Sequence, residues 1–219
     1  MLLNKKISLL LIVIAIIAII PRGLELFSSS NYFGSEQGVE YLVTKSIVID
    51  RKIILTAHQG GFGGFFKPAG FNYLLAIPFI FANGDPFGGR VFMFVISVLT
   101  VFIAFILTKY MFNVRTAIAV SFLLAISSNL SHYAGRISPP FIIPILTVFL
   151  IYVVFNVFKR RYKYIVLIAS ITGLMFNFEM AVAAILSLEL YIILFIFCIK
   201  REIKYRYIFF CFLISFLFL

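Results

Sequence analysis

The sequence contains few of the charged residues that keep soluble proteins in solution. Charged residues occupy 12% of its 219 positions and apolar residues 63%, and the mean hydropathy is +1.12. Soluble domains contain about 25% charged and roughly 45–50% apolar residues. The scarcity of charge therefore excludes an ordinary soluble domain and indicates an integral membrane protein.

Cysteine and tryptophan are also scarce. The chain has no tryptophan and two cysteines, Cys198 and Cys211, which lie in apolar stretches without the spacing of metal ligands. This pattern excludes a disulfide framework and a zinc site. The 28 phenylalanines indicate no particular site.

Acidic residues are the rarer charge. Eight Asp and Glu face nineteen Lys and Arg, so the formal net charge is +11. A basic protein can bind nucleic acid, but here the basic residues form short clusters between apolar runs rather than one stripe. Such clusters are typical of cytoplasmic anchors in membrane proteins. We therefore expect membrane lipids, and no nucleic acid, as partners.

The N-terminus resembles a secretory signal. Lys5 and Lys6 precede an apolar run from Ile7 to Ile20. The following "AIIPRGLE" is a poor cleavage site, and further apolar segments come after it. The pattern predicts a retained signal anchor.

Further apolar runs follow along the chain. The runs lie at about 3–20, 71–82, 91–108, 116–128, 141–157, 165–176, 180–199 and 207–219. Lipid cannot satisfy open backbone groups, and no run alternates as barrel strands do. We therefore expect an all-α fold, a polytopic transmembrane helical bundle forming one transmembrane domain over residues 1–219.

Basic clusters predict which loops face the cytoplasm. Four clusters, at 5–6, 109–115, 159–163 and 200–206, should be cytoplasmic. The expected protein is thus a multi-pass plasma-membrane protein with a cytoplasmic N-terminus and extracytoplasmic segments at 21–70, 129–140 and 177–179.

Two features depart from that scheme. The chain must cross the membrane an odd number of times between the outer loop that ends at residue 70 and the cytoplasmic cluster that begins at residue 109, yet two apolar runs lie between them. The first run, 71–82, is short and interrupted by Pro78, so it is predicted to be re-entrant or interfacial. The run 207–219 reaches the last residue without a flanking segment. We therefore expect this chain to be the N-terminal part of a longer enzyme.

The first outer loop, residues 21–70, is the candidate functional region, since long loops tend to be functional. Its apolar stripe predicts an amphipathic juxtamembrane helix over 36–50; the stripe consists of Val39, Leu42, Val43 and Ile47. Ser35 is the expected N-cap, which places Glu36 in the first turn, where the helix dipole favours negative charge. Glu40, one turn further on, can share its role. The alternative is a solvated capping pair.

Three cations are expected on the outer side. Lys67 opposes the positive-inside bias and is placed to bind a phosphate or an anionic headgroup; snorkelling is the alternative. Arg90 and Arg136 are predicted on the same side, so all three could converge on one anion. The glycine-rich stretch 58–70 is no phosphate-binding fingerprint, because no strand is predicted before it and its glycine spacing fits no such signature. It is expected to be a flexible connection.

Two further ionisable residues receive less specific expectations. His58 is more typical of a loop histidine than of a ligand. Glu179 is expected at an outer turn, the alternative being a functional carboxylate within the membrane.

The order of these features resembles one known family. The motifs "YFGSEQGVEY", "FFKPAGFNYLLAIPFIF", "GDPFGGRVF" and "GRISPPF" follow one another after a first apolar run. This order resembles the N-terminal half of the GT-C membrane glycosyltransferases, in particular protein O-mannosyltransferases and aminoarabinose lipid A transferases. The resemblance covers about residues 1–195 and lies in the order and spacing of short motifs.

The resemblance implies a transfer reaction. Such enzymes move a hexose or pentose, with inversion, from a polyprenyl-phosphate donor to a lipid, glycan or protein acceptor outside the cytoplasm. Glu36 matches the family's acidic residue, which acts as base or positions the acceptor, and Lys67 matches the lysine that contacts the donor phosphate. Arg90 and Arg136 are candidates for the same phosphate.

Other points stay open at this stage. The family often has a second carboxylate where this chain has Ser138 and Pro139, so that role falls to Glu40, to Glu179 or to no residue. No cofactor is implied with certainty, and a divalent metal requirement is left open. The alternative functions are a non-catalytic membrane scaffold and a transporter subunit, the latter disfavoured because Pro78 has no counterpart in the second half.

Overall fold

The structure, a computed structural model, describes residues 5–28, 34–59 and 66–199, and this part is mostly helical, at 81%. The main feature of the expected all-α class is confirmed. The helices are α1 Lys5–Phe27, α2 Ser35–Val48, α3 Gly70–Phe81, α4 Pro86–Met111, α5 Val114–Ile126, α6 Ser128–His132, α7 Ile143–Phe158, α8 Ile165–Phe178 and α9 Met180–Ile199. Short 3₁₀ turns at Pro139–Ile142 and Tyr162–Tyr164 precede α7 and α8.

Three stretches of helix in the described residues are long and apolar enough to cross a membrane: Ile7–Phe27, Pro86–Met111 and Pro139–Phe158. The 26 residues of α4 rise about 39 Å, more than the roughly 30 Å of bilayer hydrocarbon. The expected runs 71–82, 116–128 and 165–176 coincide with shorter apolar helices, and the run 180–199 coincides with α9, whose apolar stretch is Met180–Ile196. The run 207–219 lies outside the described residues.

The chain divides into two compact units. Of the described residues, the first comprises 5–28, 34–53 and 72–148, and the second 54–59, 66–71 and 149–199. In the first unit, α1, α4 and α5 pack around a core whose fully buried members include Ile14, Ala18, Val101 and Ala125. Alanines at such contacts allow helix backbones to approach closely.

The second unit contains a β-hairpin that the sequence analysis missed. Strands β1 Thr56–Gln59 and β2 Phe66–Pro68 pair antiparallel, with Thr56 opposite Pro68 and Gln59 opposite Phe66. The expected flexible connection without a preceding strand was therefore wrong at these residues. Strands of three and four residues are too short for hydrophobic periodicity to reveal, and pairing satisfies their backbone groups.

Helix α1 is longer than predicted. The expectation that the outer loop begins at Pro21 was wrong, because α1 contains Pro21 and continues to Phe27. A proline removes one backbone hydrogen bond, but neighbouring polar groups can compensate. The next residue, Arg22, makes hydrogen bonds that hold this part of α1 against neighbouring helices.

Arg22 is fully buried and links four helices. Its Nη1 donates to the carbonyls of Ala18 and Ala125, each at 3.0 Å, and its Nη2 donates to Leu124 O at 2.9 Å. Its Nε donates to Ser97 Oγ at 3.0 Å, and Ser97 Oγ donates onward to Leu130 O at 3.2 Å. The carbonyls of Leu124 and Ala125 lie in the last turn of α5, where no intrahelical N–H can reach them. Arg22 therefore caps α5 from inside α1 and ties both helices to α4 and α6.

We expect Arg22→Met to lower stability strongly. It leaves carbonyls of the α5 terminus buried without donors, at about 3 kcal/mol or roughly 6–12 °C in Tm. Arg22→Lys should recover only a small part, since one ammonium cannot reproduce the planar fork. Thermal unfolding in detergent measures both, and Arg115→Met, which replaces an exposed arginine, is the control. Equal Tm values for Arg22→Met and Arg115→Met would contradict the capping role.

Candidate functional site

Helix α2 presents Glu36 in its first turn, as predicted. The predicted N-cap was wrong by one residue. Gly34 is the N-cap, in an extended conformation with φ −80° and ψ 177°, and Ser35 is already helical. Glycine is accepted at an N-cap almost as well as serine. The Glu36 side chain is exposed and lies where the helix dipole favours a carboxylate.

The buried face of α2 is polar. Its buried residues are Gln37, Glu40, Tyr41 and Thr44. The predicted apolar stripe lies on other faces, and Leu42 within it is 66% exposed. Glu36 and Glu40 therefore occupy different environments, although they are one turn apart. The polar face of α2 therefore packs against the rest of the protein, and Leu42 on its apolar face stays exposed.

Glu40 is held by Asn72 of α3. Asn72 Nδ2 donates to Glu40 Oε2 at 2.7 Å and to the Glu40 backbone carbonyl at 3.0 Å. Both side chains are essentially inaccessible, at 1% and 0% exposure. Thr44 Oγ1 donates to the same carbonyl at 2.8 Å. A buried carboxylate needs such donors to offset its lost hydration, so this cluster fixes α2 against α3.

Tyr41 fixes the other end of this contact, at the turn between α3 and α4. Its hydroxyl donates to Asp85 O at 3.2 Å and accepts from the Gly89 N–H at 3.1 Å. Its ring packs on Phe79, with centroids 5.5 Å apart. A Cβ at Gly89 would lie 2.7 Å from Tyr41 Oη, so only glycine permits this approach.

The same contacts shift the ionisation of Tyr41. Burial raises the pKa of Tyr41 above its ordinary value of 10.0; the Gly89 amide lowers it by less, and the charge of Asp85 raises it further. The phenol is thus kept neutral and able to donate. Asp85 itself caps α4, its Oδ1 accepting from the Phe87 N–H at 2.8 Å.

Arg90 has a structural role that the sequence did not reveal. Its Nη2 donates to Leu26 O, in the last turn of α1. A guanidinium at that position satisfies an open carbonyl and complements the negative end of the helix dipole. Its Nε is buried and makes no hydrogen bond among the described residues.

Arg136 lies beside an aromatic pair in the first unit. Its guanidinium carbon is 5.7 Å from the centre of the Tyr133 ring, within range of a cation–π contact. Tyr133 stacks on Phe141, with centroids 4.8 Å apart and planes 12° from parallel.

The remaining candidates belong to the second unit. Lys67 lies in β2 and is half-buried, and His58 lies in β1 rather than in a loop. Glu179 follows α8 in an extended conformation and precedes α9. Its expected place at an outer turn stays a prediction. The predicted convergence of Lys67 with Arg90 and Arg136 stays a prediction.

Sequence reasoning missed several polar residues of the first unit. Asn72 and Arg22 lie inside apolar stretches. A single polar residue within such a stretch was the sequence feature that pointed to each of them. Glu25 and His132 also meet, with Oε1 3.4 Å from Nδ1, beside a cleft of about 680 Å³ that Ser128 and Asn129 help to line. Glu25 and His132 are 107 residues apart, so no spacing in the sequence predicts that they meet.

Within the described residues, no group of three or more His, Cys, Asp or Glu side chains lies together, so we assign no metal site to them. Comparison of the chain with protein-family models, curated proteins and solved structures found no match. The functional argument therefore depends on the residues of this chain.

We expect Asn72→Leu to destabilise the protein by about 2–3 kcal/mol, because it leaves the Glu40 carboxylate buried without the Asn72 donor. Glu40→Leu combined with Asn72→Leu should cost less than Asn72→Leu alone, since the apolar pair needs no donor. Thermal unfolding of the two single variants and the double variant measures this coupling. Additive losses would contradict it.

The raised pKa of Tyr41 predicts a pH dependence of stability. Its contribution is fully present below the unfolded pKa of about 10 and is lost as pH rises through the higher folded pKa, because the unfolded phenol releases its proton first. The difference in Tm between wild type and Tyr41→Phe should therefore be constant up to about pH 9.5 and shrink above it. Tyr73→Phe, at a partly exposed tyrosine, should track wild type. A constant Tyr41→Phe difference to pH 11 would refute the shift.

Proposed function

We propose that this protein is a membrane glycosyltransferase, or the N-terminal part of one, that transfers a sugar from a polyprenyl-phosphate donor to an acceptor outside the cytoplasm. The observation that carries the proposal is the position of Glu36. Its exposed carboxylate sits in the first turn of a helix whose opposite face is fixed to α3 and α4 by Glu40 and Tyr41. A catalytic carboxylate needs this combination of access and rigid support.

In the proposed reaction, the acceptor hydroxyl oxygen attacks the anomeric carbon of the donor while the bond from that carbon to the phosphate oxygen breaks. Glu36 takes the hydroxyl proton. The leaving group is the polyprenyl phosphate, and a cation stabilises the charge that develops on it. The new glycosidic bond has inverted configuration, because attack and departure occur on opposite faces.

The cations have unequal support. Lys67 is proposed for the phosphate from the lysine–proline motif, and it is tested separately because it belongs to the second unit. Arg90 already binds the α1 terminus and Arg136 stands over Tyr133. We therefore rank these two arginines below Lys67 for the phosphate role.

The proposed setting is a GT-C-like polytopic bundle in the plasma membrane, with α2 as a juxtamembrane helix on the outer surface. The exposed apolar residues Leu42 and Ile49 support this setting for α2, because an apolar face left uncovered by protein suits the membrane interface. The cytoplasmic N-terminus and the number of crossings belong to the same proposal.

We expect Glu36→Gln to lower the rate of sugar transfer by a factor of about 10²–10⁴, the usual contribution of a general base, and Glu36→Asp to retain more activity. Purified protein with a radiolabelled polyprenyl-phosphate sugar and a lipid acceptor provides the assay. Since Glu36 is exposed, the Tm of Glu36→Gln should fall by no more than about 4 °C, the loss of one favourable charge at a helix N-terminus, which separates chemistry from folding.

Lys67→Ala should weaken donor binding, with Lys67→Arg as the charge-preserving control. If wild-type protein transfers the sugar and Glu36→Gln transfers it at the same rate, the assignment of Glu36 is rejected. Donor binding that persists in Lys67→Ala would reject the role of Lys67. No donor binding by wild-type protein would favour a non-catalytic membrane protein instead.

A further inference from the structure

A cleft between α2 and the α3–α4 turn is not used by the proposed reaction. Its volume is about 450 Å³ and it lies entirely within the first unit. Leu42, Ile49 and Phe79 contribute apolar surface to it, and Lys45 and Asn83 contribute polar groups. The cleft therefore combines apolar surface suited to hydrocarbon with polar groups suited to a hydrated headgroup.

The charge of the cleft has one sign. Lys45 is the single charged residue among the described residues that line it. The ammonium has no acidic partner in the described part of the chain, whereas the nearby Lys52 is 3.8 Å from Asp50. An ammonium without a carboxylate partner, beside exposed apolar surface, complements an anionic group attached to an acyl chain.

The surroundings of the cleft point to a membrane location. Leu42 is 66% exposed and Ile49 is 59% exposed, on the same side of α2 as Lys45. Such side chains are unfavourable in water, and lipid would cover them.

We propose that this cleft binds an anionic phospholipid of the surrounding bilayer, with the phosphate at Lys45 and an acyl chain along Leu42, Ile49 and Phe79. The Asn83 amide is exposed and can donate to the phosphate or to a headgroup hydroxyl. Bound lipid anchors α2 at the membrane surface. This inference does not depend on the proposed transfer activity.

The absence of tryptophan from the whole sequence permits a direct test. Leu42→Trp places a single reporter in the cleft, and Ile49→Trp places one at its other side. Each variant is reconstituted in phosphatidylcholine vesicles that contain a small fraction of phosphatidylglycerol, with bromine on the acyl chains of one lipid or the other. Quenching of the tryptophan then reports which lipid lies beside it.

We expect brominated phosphatidylglycerol to quench either cleft reporter beyond its mole fraction. Lys45→Gln should lower this preference about fivefold, the factor typical of one basic residue at an anionic surface, and Lys45→Arg should keep it. Lys52→Gln, which removes a lysine already paired with Asp50, should have little effect. A reporter at Leu99→Trp, an exposed apolar position on α4, should show no preference that depends on Lys45.

Three results would overturn the proposal. Equal quenching by the two brominated lipids would mean that the cleft does not select an anionic headgroup. Quenching relieved by millimolar inorganic phosphate would mean that it binds a soluble anion. Displacement of phosphatidylglycerol by an equal amount of polyprenyl phosphate would assign the cleft to that lipid rather than to the bilayer.

Discussion

The buried guanidinium of Arg22 is the interaction on which the packing of the first unit depends. A cation enclosed by α1, α4, α5 and α6 is tolerated only if its N–H groups are satisfied, and carbonyls of α1 and α5 together with Ser97 provide the acceptors. The carbonyls of the α5 terminus also lack intrahelical donors. The guanidinium thus needs the carbonyls as acceptors, and the carbonyls need the guanidinium as a donor. This mutual requirement sets where along α1 the end of α5 must lie. Apolar contacts alone would leave that register weakly defined.

The placement of α2 follows the same logic. Many apolar side chains of this protein face outward, so burial of apolar surface gives little preference for one helix arrangement over another. Glu40 and Tyr41 provide the preference, because their polar atoms find partners at Asn72, Asp85 and Gly89. Polar contacts therefore determine orientation in the first unit, while apolar runs determine which segments are helical.

This division explains how much could be predicted from the sequence. Helices α3, α4, α7 and α8 coincide with runs that are continuous in hydropathy, a local property that one sequence displays directly. The partners of Arg22 and Asn72 lie 102 and 32 residues away, so no local pattern reveals them. Local propensity predicts a helix end at Pro21, whereas α1 continues through it to Phe27. The hairpin was missed because its strands are too short to show a period.

The two carboxylates of α2 show how far site prediction could go. Spacing correctly predicted that Glu36 lies in the first helical turn, and it also placed Glu40 on the adjacent turn. Spacing could not predict that one would be exposed and the other buried, because that depends on Asn72 from another helix. Because the Glu40 carboxylate accepts a hydrogen bond from Asn72, it cannot turn outward to share a proton without breaking the contact that holds α2. Any chemistry at the start of this helix must then fall to Glu36, with Glu40 acting through the rigidity that it gives to the helix.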